Sequence, residues 1–171
     1  DLANVVPAVL TLAMLGIPIQ KWSLYSEPAH AFVYTKPDSP DRPRIMQMYV
    51  EMGMDMMANL AEIRENPRPG IIESLTRVRI DGEAPPDMEL LGMMNLLIGG
   101  GFDTTTALTA HSLEWLSENP SERARLISTP DTLLDPATEE FLRFYAPAPG
   151  DGRTMDTDIE LMGIDFKEGD R

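Results

Sequence analysis

Cysteine is absent from this chain of 171 residues. That excludes disulfides, a cysteine-based zinc site and any thiolate ligand within these residues. Histidine is nearly absent. His30 and His111 are the two copies, far apart in sequence and without metal-ligand spacing. Positive charge is also scarce, with 14 Lys and Arg against 28 Asp and Glu and a formal net charge of -14. A surface of that sign repels phosphate backbones and argues against nucleic-acid binding; beyond this it describes a solvated acidic exterior. Long apolar runs are missing too. Stretches 5–19 and 90–98 are interrupted by Pro7, Gly16, Pro18, Gly92 and Asn95, and neither reaches the ~18 apolar residues that cross a bilayer. The chain opens on Asp1 with no secretory-signal pattern. It reads as a soluble, cytoplasmic chain without membrane or nucleic-acid partners, and both of its ends read as cut.

What is present is ordinary in bulk. Apolar residues make up 43% and charged residues 25%, as in soluble globular domains. The length suffices for one domain or for a large part of a bigger one. Residues Leu2–Leu15 have helical apolar spacing and are stopped by Gly16-Ile17-Pro18. Lys36–Pro43 carries Pro37, Pro40 and Pro43 with two aspartates and reads as a loop. From Arg44 to about Asn66, Met46, Tyr49, Val50, Met54, Met57, Leu60 and Ile63 mark an amphipathic helix that Pro67 and Pro69 end. The 12 methionines are core filler first and adaptable pocket wall second. A short helix fits within Gly70–Ile80, with a turn at Asp81-Gly82, and a long helix follows from about Asp87 to Glu118. Asn119-Pro120-Ser121-Glu122 and Asp135-Pro136-Ala137-Thr138 each read as cap, first-turn proline and helix start. The second of these helices ends before Pro147. Arg153–Arg171 reads as two short strands in a hairpin, with Gly163 and Gly169 at turns. The fold class is mainly α with a small β-sheet.

One segment of the long helix breaks local rules. Leu96–Leu108 reads LLIGGGFDTTTAL. Each interior glycine costs about 1 kcal/mol relative to alanine, and three consecutive threonines are weak helix formers. One reading is a break, with Gly99–Gly101 as a loop and Asp103 or Thr104 capping a second helix. The other keeps the helix continuous, with Leu97, Gly101, Thr104 and Leu108 on one face. A missing patch of side chains then lets a flat ligand approach the backbone beside a hydroxyl and a carboxylate. A phosphate loop is a poor alternative, since no Gly-Lys-Ser/Thr follows.

Gly100-Gly101-Phe102-Asp103-Thr104-Thr105 resembles the distal-helix signature of the cytochromes P-450. Glu140-Phe141-Leu142-Arg143, followed by Tyr145-Ala146-Pro147, is similar to that family's Glu-x-x-Arg helix at the expected distance. The six-residue pattern is moderately specific alone, a lone Glu-x-x-Arg is very weak, and the ordered pair is much stronger. LEWLSENPSERARL (113–126), RTMDTDIELMGIDFKEGD (153–170) and Leu10–Pro18 match further parts of the family pattern. The likeness covers nearly the whole chain and is vague between Lys21 and Ile80, where substrate-access helices are expected. The family's Phe-x-x-Gly-x-x-x-Cys-x-Gly loop, its Trp-x-x-x-Arg helix and the arginine that partners the Glu-x-x-Arg pair are absent. The chain therefore resembles the central part of a bacterial-type cytochrome P-450 catalytic domain, one incomplete domain over 1–171.

The resemblance implies a partial cytochrome P-450 fold, with a long distal helix, a Glu-x-x-Arg helix and C-terminal hairpin strands. It implies haem b as cofactor of the complete protein, held against Gly100 and Gly101, with Arg153 on a haem propionate. Thr104 would hydrogen-bond dioxygen at the haem, and Asp103 would link that site to solvent as a proton relay. Glu140 and Arg143 would form a structural ion pair, and Leu97, Leu108 and Ala148 would line the pocket. The implied reaction is hydroxylation of an apolar small molecule by dioxygen, with electrons from a ferredoxin or similar donor. This chain alone, with no ligand for the iron, is expected to be inactive and not to retain haem. The competing reading is a non-catalytic helical module for a small apolar ligand or a partner helix, and a third is the product of a broken gene. His30 and His111 are read as packed or surface residues.

Overall fold

The computed structural model describes residues 2–150 and 152–171. Helix α1, Leu2–Leu15, ends where Gly16 takes a left-handed φ of 85°. A 3-10 turn, Ile19–Lys21, leads into α2, Trp22–Tyr34. Helix α3 spans Arg42–Glu65 and α4 spans Ile71–Thr76. Helices α5 (Asp87–Gly101) and α6 (Asp103–Glu118) follow, then α7 (Pro120–Ser128) and α8 (Pro130–Tyr145). Strands β1 (Ile159–Leu161) and β2 (Ile164–Phe166) form an antiparallel hairpin with Leu161 opposite Ile164. Met162 and Gly163 have φ of 56° and 80°, the paired positive values of a tight hairpin turn that matches strand twist. Asp81 and Gly82 turn the chain the same way, and a single bridge joins Ile80 to Glu83. No described helix is long and apolar enough to cross a membrane.

Several boundaries differ from the sequence expectation. Helix α2, with Pro28 inside it, had no local signal strong enough to be read. Helix α3 starts two residues early, at Arg42, because Pro43 has the φ of a first-turn residue. The Arg42 guanidinium then donates to the carbonyls of Phe32 (3.0 Å) and Thr35 (3.2 Å), fastening the end of α2 to the start of α3. Helix α8 starts at Pro130, and Pro136 lies inside it rather than at its head. The proline leaves one carbonyl without an amide partner; this turn is exposed, so water can serve. Asn119 flanks α7 as expected, but its side-chain amide donates backwards to the carbonyl of Trp115 at 2.8 Å and so closes α6.

The core lies in the first part of the chain. Leu12 and Leu15 of α1, Tyr25 of α2, Met52, Met56, Leu60 and Ile63 of α3, and Ile72 of α4 meet Leu90, Met94, Ile98 and Phe102. The last four recur every four residues, so they form one ridge along α5. Gly16 and Gly70 let two loops touch. A Cβ on Gly70 would lie 2.6 Å from the Leu15 carbonyl oxygen, and one on Gly16 would lie 3.0 Å from that of Pro69. Polar contacts seal the same corner. Asp55 accepts from Lys21 Nζ (2.6 Å), Tyr25 Oη (2.7 Å) and Asn59 Nδ2 (2.8 Å), and Arg68 donates to Asn59 Oδ1 and to the Gly16 carbonyl. Burial, reinforced by the Asp55 carboxylate, pushes the Tyr25 phenol well above its ordinary value. It therefore stays neutral and donates.

Beyond Phe102 no described residue is buried. Helix α6 carries α8 through stacked and edge-on rings, His111 on Tyr145 (5.0 Å) and Trp115 on Phe141 (5.7 Å). Leu113, Ile127, Leu134 and Phe144 remain exposed. Replacing Phe102, 2% exposed at the end of the α5 ridge, by alanine should cost about 3–5 kcal/mol in urea unfolding. A loss under ~0.5 kcal/mol, typical of surface sites, would show that the core does not depend on it.

Candidate functional site: the break in the distal helix

The glycine-threonine segment is neither the loop nor the continuous helix of the two sequence readings. Gly99–Gly101 are helical, and the interruption is a single residue, Phe102, with φ -91° and ψ -78°. The Phe102 amide still bonds the Ile98 carbonyl (3.1 Å), and the Thr106 amide bonds the Phe102 carbonyl (2.8 Å). Asp103 and Thr104 do not cap α6 through their side chains. The Thr104 hydroxyl instead donates to the Gly100 carbonyl at 2.7 Å. It thereby ties the last turn of α5 to the first turn of α6, the back-bonding that bends helices.

The glycines divide by role. A Cβ on Gly101 would meet Thr11 of α1 at 2.5 Å (Oγ1) and 2.9 Å (Cγ2), whereas Cβ atoms on Gly99 and Gly100 meet nothing within 4 Å. Gly101 is therefore required by the crossing of α1 over the break, a constraint invisible in the local sequence. Gly99 and Gly100 face open space. Alanine at 100 should leave stability unchanged or raise it by up to ~1 kcal/mol, the helix-propensity difference. Alanine at 101 should destabilise, and Thr11→Gly should restore part of the loss in a double-mutant cycle by chemical denaturation. Additive effects would remove the contact.

Asp103, the first residue of α6, is not solvent-facing alone. Its Oδ1 lies 3.1 Å from Nδ1 of His30 on α2, with side-chain exposures of 20% and 51%. The His30 ring also packs on Tyr34 at 4.4 Å. Sequence reasoning missed this pairing. The residues are separated by 73 positions, and the scarcity of histidine is the one trace it leaves. Thr106, on the same turns, has a buried hydroxyl oxygen without a partner.

The remaining candidates lie apart from the break. Leu97 is 37% exposed, Leu108 is half-buried, and Ala148 and Arg153 are exposed. Arg153 makes no side-chain hydrogen bond or ion pair among the described residues. Glu140 and Arg143 do pair, as a two-pronged fork of 2.7 and 2.6 Å on the open face of α8. Glu140 also lines a groove of about 420 Å³ between α6, α7 and α8, with Trp115, Leu126, Leu133 and Phe141 among others. Hydrogen bonds from Arg143 hold the Glu140 carboxyl below the usual carboxylate range and raise the guanidinium. Whatever stability the pair contributes is thus present at neutral pH and lost as pH falls through the lowered carboxyl pKa. Arg143→Gln should move the Glu140 Cδ titration midpoint upward in carbon NMR; an unmoved midpoint would show that the fork is absent in solution. Among the described residues no cluster of three or more His, Cys, Asp or Glu could hold a metal ion.

A helix is interrupted beside Gly-Gly, a threonine bonds back across the interruption, and the Glu-x-x-Arg helix α8 packs on α6 through His111 and Trp115. The fold is part of the cytochrome P-450 fold, and the chain's curated homologues are bacterial cytochromes P-450. Cytochrome P-450 109 of Bacillus spizizenii is 28% identical, over 99% of this chain and 43% of its own. The methyl-branched lipid omega-hydroxylase of Mycobacterium tuberculosis is 29% identical, over 100% of this chain and 40% of its own. A mutant of P-450 EryK in complex with erythromycin B superposes with a TM-score of 0.81 at 26% identity, covering 98% of this chain and 44% of that one. No protein-family model matches the chain. It spans less than half the length of the curated relatives it matches.

Proposed function

We propose that this chain forms the distal wall of a haem monooxygenase, as the central part of its catalytic domain. The observation that carries the reading is the break at Phe102, with open space over Gly100 and the Thr104 hydroxyl 2.7 Å from the Gly100 carbonyl. A flat ring fits against Gly99 and Gly100, where no side chain projects. Arg153, exposed and without an ion pair among the described residues, suits a propionate. The thiolate that ligates iron in this class has no candidate here, since the chain holds no cysteine. When bound, haem supplies dioxygen activation and the oxidation of a carbon–hydrogen bond.

The chain's own residues bind, orient and carry protons. Thr104 holds its hydroxyl at the edge of the Gly100 opening. Turned from the Gly100 carbonyl, that hydroxyl would donate to a ligand oxygen seated there and would accept a proton in exchange. Asp103, on the next position, connects that hydroxyl to solvent. Leu97, Leu108 and Ala148 are the candidate apolar wall residues, and an apolar organic substrate suits them. Electrons come from a ferredoxin or similar donor, in the cytoplasm. The exposed apolar face of α6 to α8 is covered by further chain of the same domain.

The second reading, a non-catalytic helical module, is favoured by the apolar groove between α6, α7 and α8. A thiolate-type absorption band in the reduced carbon monoxide complex of the whole protein decides for the enzyme; retained apolar-ligand binding without haem decides for the module. In the haem-loaded whole protein, Thr104→Ala should keep haem while the share of electrons ending in product falls severalfold and peroxide appears instead. Full coupling in that variant removes Thr104 from the mechanism.

A further inference from the structure

We propose that His30 is a positioning residue for Asp103, the solvent-side member of its proton path and a clasp between α2 and the head of α6. This rests on the reading of Asp103 given above. An ionised carboxylate only accepts hydrogen bonds; in the tautomer with its proton on Nδ1, His30 donates to Asp103 Oδ1 across 3.1 Å. Nε2 then points away from the carboxylate, on a side chain that is 51% exposed. One ring therefore touches solvent on one side and, on the other, a carboxylate that is only 20% exposed. A proton accepted at Nε2 is balanced by release of the Nδ1 proton to Asp103 Oδ1. The neutral ring that remains carries its proton on Nε2, and exchange with water resets it. Histidine is the side chain suited to this between about pH 5 and 8.

Other charges do not compete for the ring. Helix α1 has no ionisable side chain among its described residues. Lys21 of the 3-10 turn is held by Asp55 of α3, and Arg42 of α3 by backbone carbonyls. Glu51 of α3 accepts from Gln47, and Asp87 of α5 pairs with Arg64. Arg44 and Glu89, on the same elements, make no ion pair with the ring, and Asp103 is the charged group within ion-pair distance of it among the described residues. A charged imidazole makes the stronger bond to the carboxylate.

The test uses the haem-loaded whole protein. His30→Gln keeps a donor on the ring's side of Asp103 and cannot pass a proton. Expected are an unchanged thermal midpoint and KM, a severalfold lower rate of product formation, and a flattened pH profile across the histidine range. Independently of turnover, nitrogen NMR of labelled histidine in the reduced carbon monoxide complex should show His30, assigned by its loss in His30→Gln, protonated on Nδ1. Asp103→Asn should shift that signal. A His30 protonated on Nε2, or a His30→Gln pH profile identical to the parent's, overturns the proposal. If Asp103→Asn alone changes coupling, the proton path stands without His30; if neither variant changes it, the function assigned to Asp103 falls first.

Discussion

The burial of one phenylalanine organises this structure. Phe102 completes the ridge of Leu90, Met94 and Ile98, and three such steps turn too far around a straight helix for the fourth side chain to stay in the same core. The backbone yields at Phe102, and the three glycines before it make the yield inexpensive. Everything proposed for the site follows from that bend. Thr104 is brought onto the Gly100 carbonyl, Gly101 is turned into α1, and Asp103 is aimed at α2.

Two parts of the molecule differ in how they are held. Helices α1 to α5 enclose a common core and close one corner with the Asp55, Tyr25, Asn59 and Arg68 contacts. Helix α8 is joined to α6 by aromatic contacts, the ion pairs of this half lie within single elements, and no residue among those described is buried here. Exposed pairs such as Glu140 and Arg143 contribute little in water, so this half depends on packing partners for its apolar face. The candidate site lies on the boundary between the two parts. There a rigid element is available to fix the break and an open face is available for a ligand.

Much of the fold was legible in the residues. Periodicity marked α1, α3 and the run from Asp87 to Glu118, and the glycine pairs marked both tight turns. Prolines at Pro43, Pro130 and Pro136 each suit either a helix start or an exposed interior position, and solvent access to the freed carbonyl decides between them. Asn119 was read as a cap for the helix after it, and its amide serves the helix before it. Helix α2 was unreadable because its apolar residues pack on three elements at once and so show no single stripe.

The amino-acid sequence alone determined the helical class, the paired signatures that point to cytochromes P-450, the acidic surface and the lack of any thiolate, because these depend on residue type and short spacing. It also located the anomaly at Gly99–Thr106, because glycine and threonine clusters violate helix propensity wherever they stand. Tertiary structure decided what that anomaly does. Whether a glycine faces open space or another helix, and whether an aspartate finds water or a histidine 73 residues away, depends on how helices cross. Crossing is set by packing among side chains that no local window contains.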